Sequence, residues 1–407
     1  MSNTQTKNVP ELRFPGFEGE WEEKKLGNLT TKIGSGKTPK GGSENYTNKG
    51  IPFLRSQNIR NGKLNLNDLV YISKDIDDEM KNSRTYYGDV LLNITGASIG
   101  RTAINSIVET HANLNQHVCI IRFKKEYYYN FFGQYLLSRK GKRKIFLAQS
   151  GGSREGLNFK EIANLKIFTP TIFEEQQKIG QFFSKLDQQI ELEEQKLELL
   201  QQQKKCYIQK IFSQELRFKD ENGEDYPDWE NSKIEKYLKE RNERSDKGQM
   251  LSVTINSGII KFSELDRKDN SSKDKSNYKV VRKNDIAYNS MRMWQGASGK
   301  SNYNGIVSPA YTVLYPTQNT SSLFIGYKFK THRMIHKFKI NSQGLTSDTW
   351  NLKYKQLKNI NIDIPVLEEQ EKIGDFFKKM DILISKQKMK IEILEKEKQS
   401  FLQKMFL

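Results

Sequence analysis

The chain has 407 residues, too many for one compact domain and suited to two to four. Its formal net charge is +18, a balance that draws in polyanions by counterion release, although a basic soluble protein of another kind would share it. Aromatics at 11% exclude a disordered polyelectrolyte, no run approaches the roughly 18 apolar residues of a bilayer span, and two cysteines, Cys119 and Cys206, exclude a zinc cluster and a disulfide framework.

The stretch through Phe14 carries no apolar signal region, so nothing marks the chain for secretion and a cytoplasmic location is expected. Glu11-Leu12-Arg13-Phe14 and Trp21 open the first half. Gly34-Ser35-Gly36-Lys37-Thr38 has the ending of a phosphate-binding P-loop. The full pattern needs glycine at position 31, where Thr31 stands, and Pro39 follows where a helix should run on. Lys37 and Lys40 are better suited to a DNA phosphate than to ATP. Strands are expected at residues 89–94 and 117–122, and helices around 127–139 and 143–149. Past the start signal Pro170, apolar residues step by four and three through Ile179, Phe183, Leu186, Ile190, Leu197 and Leu200, interrupted by Glu193 and Lys204.

The chain then begins again with Glu215-Leu216-Arg217-Phe218 and Trp229. Asp285-Ile286-Ala287-Tyr288-Asn289 matches Asp89-Val90-Leu91-Leu92-Asn93, and Gly296-Ala297-Ser298 matches Gly96-Ala97-Ser98. Strands are expected at 286–289 and 311–315 and a helix at 324–338. Past Pro365, at a shift of 194, the seam returns as Ile373, Phe377, Met380, Ile384, Ile391 and Leu394, with Gln387 and Lys398 at the places of Glu193 and Lys204. A 3.5-residue period over about five heptads makes each run a coiled-coil helix of roughly 60 Å, and their natural partners are each other. Antiparallel pairing is expected, because it places one globular half at each end; parallel pairing would crowd both together. The chain stops at Leu407, where the first copy runs on into Glu215, which predicts a near-circular order with the C-terminus beside Glu11. The divisions are residues 1–170, 171–214, 215–364 and 365–407. Each globular half reads as a mixed α/β domain with a mostly antiparallel or irregular sheet.

Two residues separate Asn93 from Gly96, but six separate Asn289 from Gly296. The frame is shared and the loop is not, and loops on a rigid scaffold are where binding differences are built. Met293 and Trp294 could equally be core. His332 and His336 lie one helical turn apart, but Arg333 stands where the zinc-protease motif requires Glu, so a surface or core pair is expected. No methylase motif and no glycine fingerprint for a nucleotide appear, so no catalytic, cofactor or metal residue is assigned. Candidate DNA contacts in the first half are Lys37, Thr38, Lys40, Arg55, Gln57, Asn58, Arg60, Arg101, Asn115, Gln116, Ser153 and Arg154. In the second half they are Asn256, Ser257, Ser290, Arg292, Trp294, Gln295, Ser308, Tyr311, Gln343, Thr346 and Ser347. Arg, Asn and Gln make the paired hydrogen bonds that distinguish bases, while Lys and Ser more often hold phosphates. Any one of them taken singly also reads as a solvated loop.

The ordered set resembles the specificity subunits of type I restriction–modification systems, often called HsdS. Its carriers are Phe14-Pro15 to Trp21, Gly36-Lys37-Thr38-Pro39, Gly50-Ile51-Pro52-Phe53-Leu54-Arg55, Gly88-Asp89-Val90-Leu91-Leu92, Gly96 to Gly100, Asn115-Gln116, and the helix entries at Pro170 and Pro365. Gly305 to Tyr311 is similar to a variant of the same pattern. The resemblance implies an α+β fold with two duplicated target-recognition domains separated by two long antiparallel coiled-coil helices. Each domain would read half of a split, asymmetric site in double-stranded DNA, with the helices setting the spacer and docking two adenine-N6 methylase subunits. Motor/nuclease subunits would join, and S-adenosylmethionine, ATP and Mg2+ would serve the partners, with no cofactor in this chain. The alternatives are an architectural protein that binds DNA without sequence choice and a self-sufficient nuclease or methylase.

Overall fold

The computed structural model describes residues 8–149, 156–266 and 274–407. Packing divides the chain into Met1–Gln195 with Met389–Leu407, and Lys196–Lys388. Each unit thus holds one globular domain, the start of its own long helix and the end of the other.

The two domains are built on one plan. In the first, an antiparallel sheet runs in the order Thr30–Ser35, Val118–Phe123, Val90–Asn93, Thr102–Ile104. The second repeats it with Leu238–Glu240, Tyr311–Pro316, Ile286–Asn289 and Ser298–Lys300. A short ladder joins entry to exit, Glu22–Lys25 with Lys166–Thr169 and Glu230–Lys233 with Asn361–Ile364. The central strand is buried on both faces, which explains its unbroken apolar run. Val90 and Leu92 face the helices and Leu91 the inserted strands; Ile286 and Tyr288, and Ala287, divide in the same way. The insertions differ. Among the described residues, the first unit adds a four-stranded sheet with a parallel pair between Ile51–Leu54 and Ala112–Leu114 and a short ladder of Ile59–Arg60 with Lys63–Leu64, and the second adds two two-stranded ladders.

Two helices follow each sheet, and here the expected boundaries need correction. The helix expected at 324–338 is two, Ser322–Lys328 and His332–Asn341, because the Thr331 hydroxyl accepts from the Met334 N–H and starts a new helix. Ser138 does the same between Tyr129–Leu137 and Arg139–Leu147, so the second helix begins four residues earlier than expected.

The long helices span Phe173–Phe212 and Leu367–Lys404. Within the first unit Lys398 pairs with Asp187 and Lys390 with Glu193; within the second, Lys204 pairs with Asp381. Residues rising along one helix meet residues falling along the other, so the pairing is antiparallel in each unit. The matched lysines that interrupt the seam are thereby explained: each meets an aspartate of the facing helix. That aspartate is tied to the domain by Gln134 Nε2 in the first unit and by the Tyr327 hydroxyl in the second. Ile179, Phe183, Ile190, Ile373, Phe377, Met380, Ile391 and Leu394 are buried, while Leu186, Leu197, Leu200 and Ile384 are partly so. The far end of each helix enters the other repeat's core, with Phe406 stacked on Phe183 and Phe212 stacked on Phe377. The C-terminus does return to the start: the Leu12 N–H donates to the Lys404 carbonyl at 3.0 Å, and Lys404 pairs with Glu11.

A buried carboxylate explains the repeated Arg, Trp and Glu residues. Glu175 accepts both prongs of Arg13 at 2.7 and 2.8 Å and the Trp21 indole N–H at 3.3 Å. Glu369 accepts Arg217 at 2.7 and 3.2 Å and Trp229 at 3.2 Å. The adjacent Gln176 and Gln370 each accept the N–H at the next helix entry, from Tyr128 and Ser321. The duplicated motifs are the fastening of each domain to its helix.

Candidate nucleic-acid interface

In the first unit, separate loops meet at one edge of the sheet. Gly36 donates to the Val118 carbonyl and Lys37 to that of Leu114. A Cβ on Gly36 would lie 2.0 Å from the Leu114 carbonyl oxygen, so only glycine allows this approach. The Asn115 N–H donates to the Leu54 carbonyl, and Asn93 Nδ2 to that of Ser56. Thr95 Oγ1 and His117 Nδ1 share a hydrogen bond of 2.7 Å, and Thr95 bridges to Gly156. The loops around residues 36–40, 55–58, 94–101 and 115–117 are therefore neighbours. They present Lys37, Lys40, Gln57 and Gln116 as exposed side chains.

The second unit gathers its loops at the matching edge. The Leu352 N–H donates to the Ser290 carbonyl, as Leu157 donates to Ile94. Trp294 and Trp350 meet edge-to-face at 5.2 Å, and the Trp294 indole donates to the Met291 carbonyl. Gln343 and Asn351 bridge, closing the loop between them. Lys330 donates to the carbonyls of Ile255 and Gly296, pinning the turn with Asn256 and Ser257 beside the same loop, and burial pushes its amine down to about 8. Arg292 is exposed, with Gln295 Oε1 accepting from its guanidinium at 3.2 Å.

The candidates separate on burial. Lys37, Lys40, Gln57, Arg60, Gln116, Asn256, Ser257, Arg292, Gln343, Thr346 and Ser347 are exposed. Thr38, Arg101, Trp294, Gln295, Ser308 and Tyr311 are partly exposed. Three of the candidates are buried. Asn58 is fully buried, accepting from the Arg55 N–H and donating to the Asn65 carbonyl. Asn115 is buried with its side-chain Oδ1 accepting from the His117 N–H, and Ser290 is buried against Thr312 Oγ1. Asn58 has both side-chain polar atoms taken within its own turn, and the Ser290 hydroxyl is taken by the strand at Thr312. Arg55 also folds back, donating to the Asp68 carbonyl and lying over the Tyr46 ring. Met293 is core while its neighbour Trp294 is half-buried, so the long loop is partly packing and partly surface. Ser153 and Arg154 lie outside the described residues. His332 and His336 are exposed, and the described residues hold no cluster of metal-binding side chains.

Sequence reasoning passed over one basic helix in each unit. Arg139, Lys140, Lys142 and Arg143 are exposed on Arg139–Leu147, and His332, Arg333, His336 and Lys339 on His332–Asn341. The run Arg139-Lys140-Gly141-Lys142-Arg143-Lys144 was the available signal.

The family described as "Type I restriction modification DNA specificity domain" matches residues 18–202 and again 226–396. A putative type I restriction enzyme MjaX specificity subunit of Methanocaldococcus jannaschii is 26% identical over 59% of this chain and 56% of its own length. The type I restriction enzyme EcoBI specificity subunit of Escherichia coli is 31% identical over 34% of this chain and 30% of its own. The chain thus matches less than two thirds of the length of these curated relatives. In fold it is similar to the type I restriction–modification S subunit of M. genitalium, at a TM-score of 0.60 and 14% identity over 98% of this chain and 99% of that one. A chain from a structure of type I complex assembly and conformational transition gives 0.54 and 15% over 96% and 97%. With one family match in each half, this chain belongs to the type I restriction–modification DNA specificity family.

Proposed function

We propose that the chain is the DNA-reading subunit of a type I restriction–modification complex, each unit recognising one half of a bipartite, asymmetric site in double-stranded DNA. The observation that carries this reading is a pairing: each family match contains one loop cluster, at the same sheet edge, with different exposed side chains. Gln57, Gln116 and Arg101 in one cluster, and Arg292 and Gln295 in the other, have the chemistry of base-edge recognition. Lys37 and Lys40 supply phosphate contacts that position without specifying. The paired helices set the spacer and dock two adenine-N6 methylase subunits, and motor/nuclease subunits complete the complex. S-adenosylmethionine, ATP and Mg2+ serve those partners, while this chain contributes binding, in the cytoplasm. No described helix is long and apolar enough to cross a membrane.

Two modest recognitions on a fixed spacer become one tight one only when both fit the same duplex. Co-expression with a methylase subunit, followed by mapping of methylated bases, should return one split motif. Inserting four residues in both long helices should lengthen its spacer and leave both halves unchanged. Methylation without a discrete motif would favour an architectural DNA-binding protein instead.

A further inference from the structure

A second site stands out at the far side of the first unit's sheet. Strand Val90–Asn93 leads into the reading loops at its C-terminal end; its N-terminal end is preceded by Tyr86-Tyr87-Gly88-Asp89. Strand Val118–Phe123 runs the opposite way, so it leaves the Asn115–His117 loop behind and delivers Arg122, Lys124 and Lys125 to the Tyr86 side. A cavity of about 550 Å³ opens there, lined by Tyr86, Tyr87, Tyr127, Tyr129, Lys124 and Lys125 among others. That volume is within the range of small-ligand sites.

The rings are held in place, and two of them stay open to solvent. Gly88, at φ +86°, lets the backbone pass the Tyr129 ring, where a Cβ would come within 3.2 Å. Tyr129 meets Tyr87 edge-to-face at 6.0 Å, their hydroxyls 3.3 Å apart, and leans on Tyr128 at 5.1 Å. The Arg122 guanidinium sits 4.7 Å from the Tyr86 ring and is fixed by both oxygens of Asp89. Yet Tyr86 is 47% and Tyr87 56% exposed. Asp89 already balances Arg122, so Lys124 and Lys125 leave the pocket net positive.

The fold does not require these rings. In the second unit the stretch matching Tyr86-Tyr87-Gly88-Asp89 is Arg282-Lys283-Asn284-Asp285, and Thr320-Ser321-Ser322 stands for Tyr127-Tyr128-Tyr129. The same sheet and helix form there without an aromatic at these positions.

The geometry points to a pocket for a nucleobase with its attached phosphate, at the opposite end of the sheet from the loops that read duplex DNA. Open tyrosine faces beside lysines are the pairing that sequence-tolerant single-strand sites use, since every base has a face to stack and a phosphate to neutralise. The ligand is either a free nucleotide or one unit of a single strand. Duplex DNA does not qualify, because its bases are already stacked on one another.

The test uses the full chain and a short fluorescein-labelled single-stranded oligonucleotide of mixed sequence, read by fluorescence polarisation. Tyr87→Ala should weaken binding about tenfold, Tyr87→Phe should restore it, and the pair Lys124→Ala and Lys125→Ala should weaken it and flatten its salt dependence. Thermal melting of each variant separates loss of the site from loss of the fold. Competition by deoxyadenosine monophosphate would support the pocket and assign it to free nucleotides; competition only by unlabelled oligonucleotide would support it and assign it to strands. The methylated motif in co-expressing cells should be unchanged by Tyr87→Ala, so the site stands or falls independently of duplex reading. Equal oligonucleotide binding by wild type and Tyr87→Ala would overturn the proposal. Loss of a co-purifying methylase from Tyr87→Ala, with oligonucleotide binding intact, would also overturn it and make the rings a protein-docking face.

Discussion

The loop after Asn93 reaches Gly96 in two residues, whereas the loop after Asn289 takes six and sends Met293 into the core and Arg292 into solvent. Beneath that divergence, Glu175 and Glu369 receive the same three donors from Arg13 and Trp21, and from Arg217 and Trp229. The contrast separates two kinds of repeated residue. The recurring Arg, Trp and Glu satisfy one another out of water, and they fix how a domain grips its helix. Among the residues that differ are exposed side chains of the loops at the sheet edge, where a change costs the fold little.

The fastening offers the sharpest way to break this comparison. Glu175→Ala would leave the Arg13 guanidinium and the Trp21 N–H without their acceptor in a largely buried place, and Glu369→Ala would do the same to Arg217 and Trp229. Removing one member of a buried ion pair costs about 3 kcal/mol or more. Urea denaturation should show a similar loss for each variant. A large loss in one and none in the other would mean that the two units are not fastened alike.

A second prediction rests on one matched core position that differs. Seven residues beyond Tyr128 stands Tyr135, and seven beyond Ser321 stands Lys328. Lys328 is buried, its amine 4.8 Å from the Trp229 ring, and burial pushes it down to about 8, opposed by Asp363. Below pH 8 the folded and unfolded forms both carry the proton, and the burial cost is fully present. Between about 8 and the ordinary value of 10.5 the folded form gives up its proton first, so stability rises with pH, by about 2 kcal/mol from pH 8 to 10. Lys330 adds to the same trend. Burial raises the Tyr135 phenol, so above pH 10 the unfolded chain ionises first and the first unit loses stability. Denaturation followed against pH should show the rise, and Lys328→Met should flatten it. An unchanged slope would place the charge of Lys328 in water.

Periodicity made the long helices legible, because 3.5-residue spacing survives without knowledge of any partner, and the matched polar interruptions at Lys204 and Lys398 marked the same register. The strands around Leu91 and Ala287 were legible as unbroken apolar runs. The break before Thr331 was missed because apolar spacing continues across it, and only the hydroxyl at the new N-terminus reveals the restart. At the candidate interface, the sequence identified the loops but not the burial within them. Asn58 and Gln57 are adjacent and equally polar, yet one closes its own turn and the other faces solvent. Composition carries no sign of that difference, since side-chain direction is set by the turn.

That difference can be measured across the second cluster. Arg292→Ala should cost about 1–2 kcal/mol in binding to the target duplex and relax the preference at one base pair of one half-site. Its buried neighbour Ser290, bonded to Thr312, should behave oppositely: Ser290→Ala should lower the melting temperature and leave the recognised motif unchanged. Methylation-motif mapping beside thermal melts reads both. A changed motif from Ser290→Ala would mean that the buried hydroxyl positions the reading loop.

The smallest effect belongs to Lys37. It is exposed on a loop whose backbone is fixed by the Leu114 carbonyl, so its amine is free to follow a phosphate without selecting a base. Lys37→Ala should weaken duplex binding by well under 1 kcal/mol at physiological salt, equally for target and non-target DNA, and reduce the slope of log affinity against log salt by about one. A loss confined to the target sequence would assign Lys37 to base reading, and the Gly36-Lys37-Thr38-Pro39 turn, shared with no segment of the second unit, would then join the loops through which the two units differ.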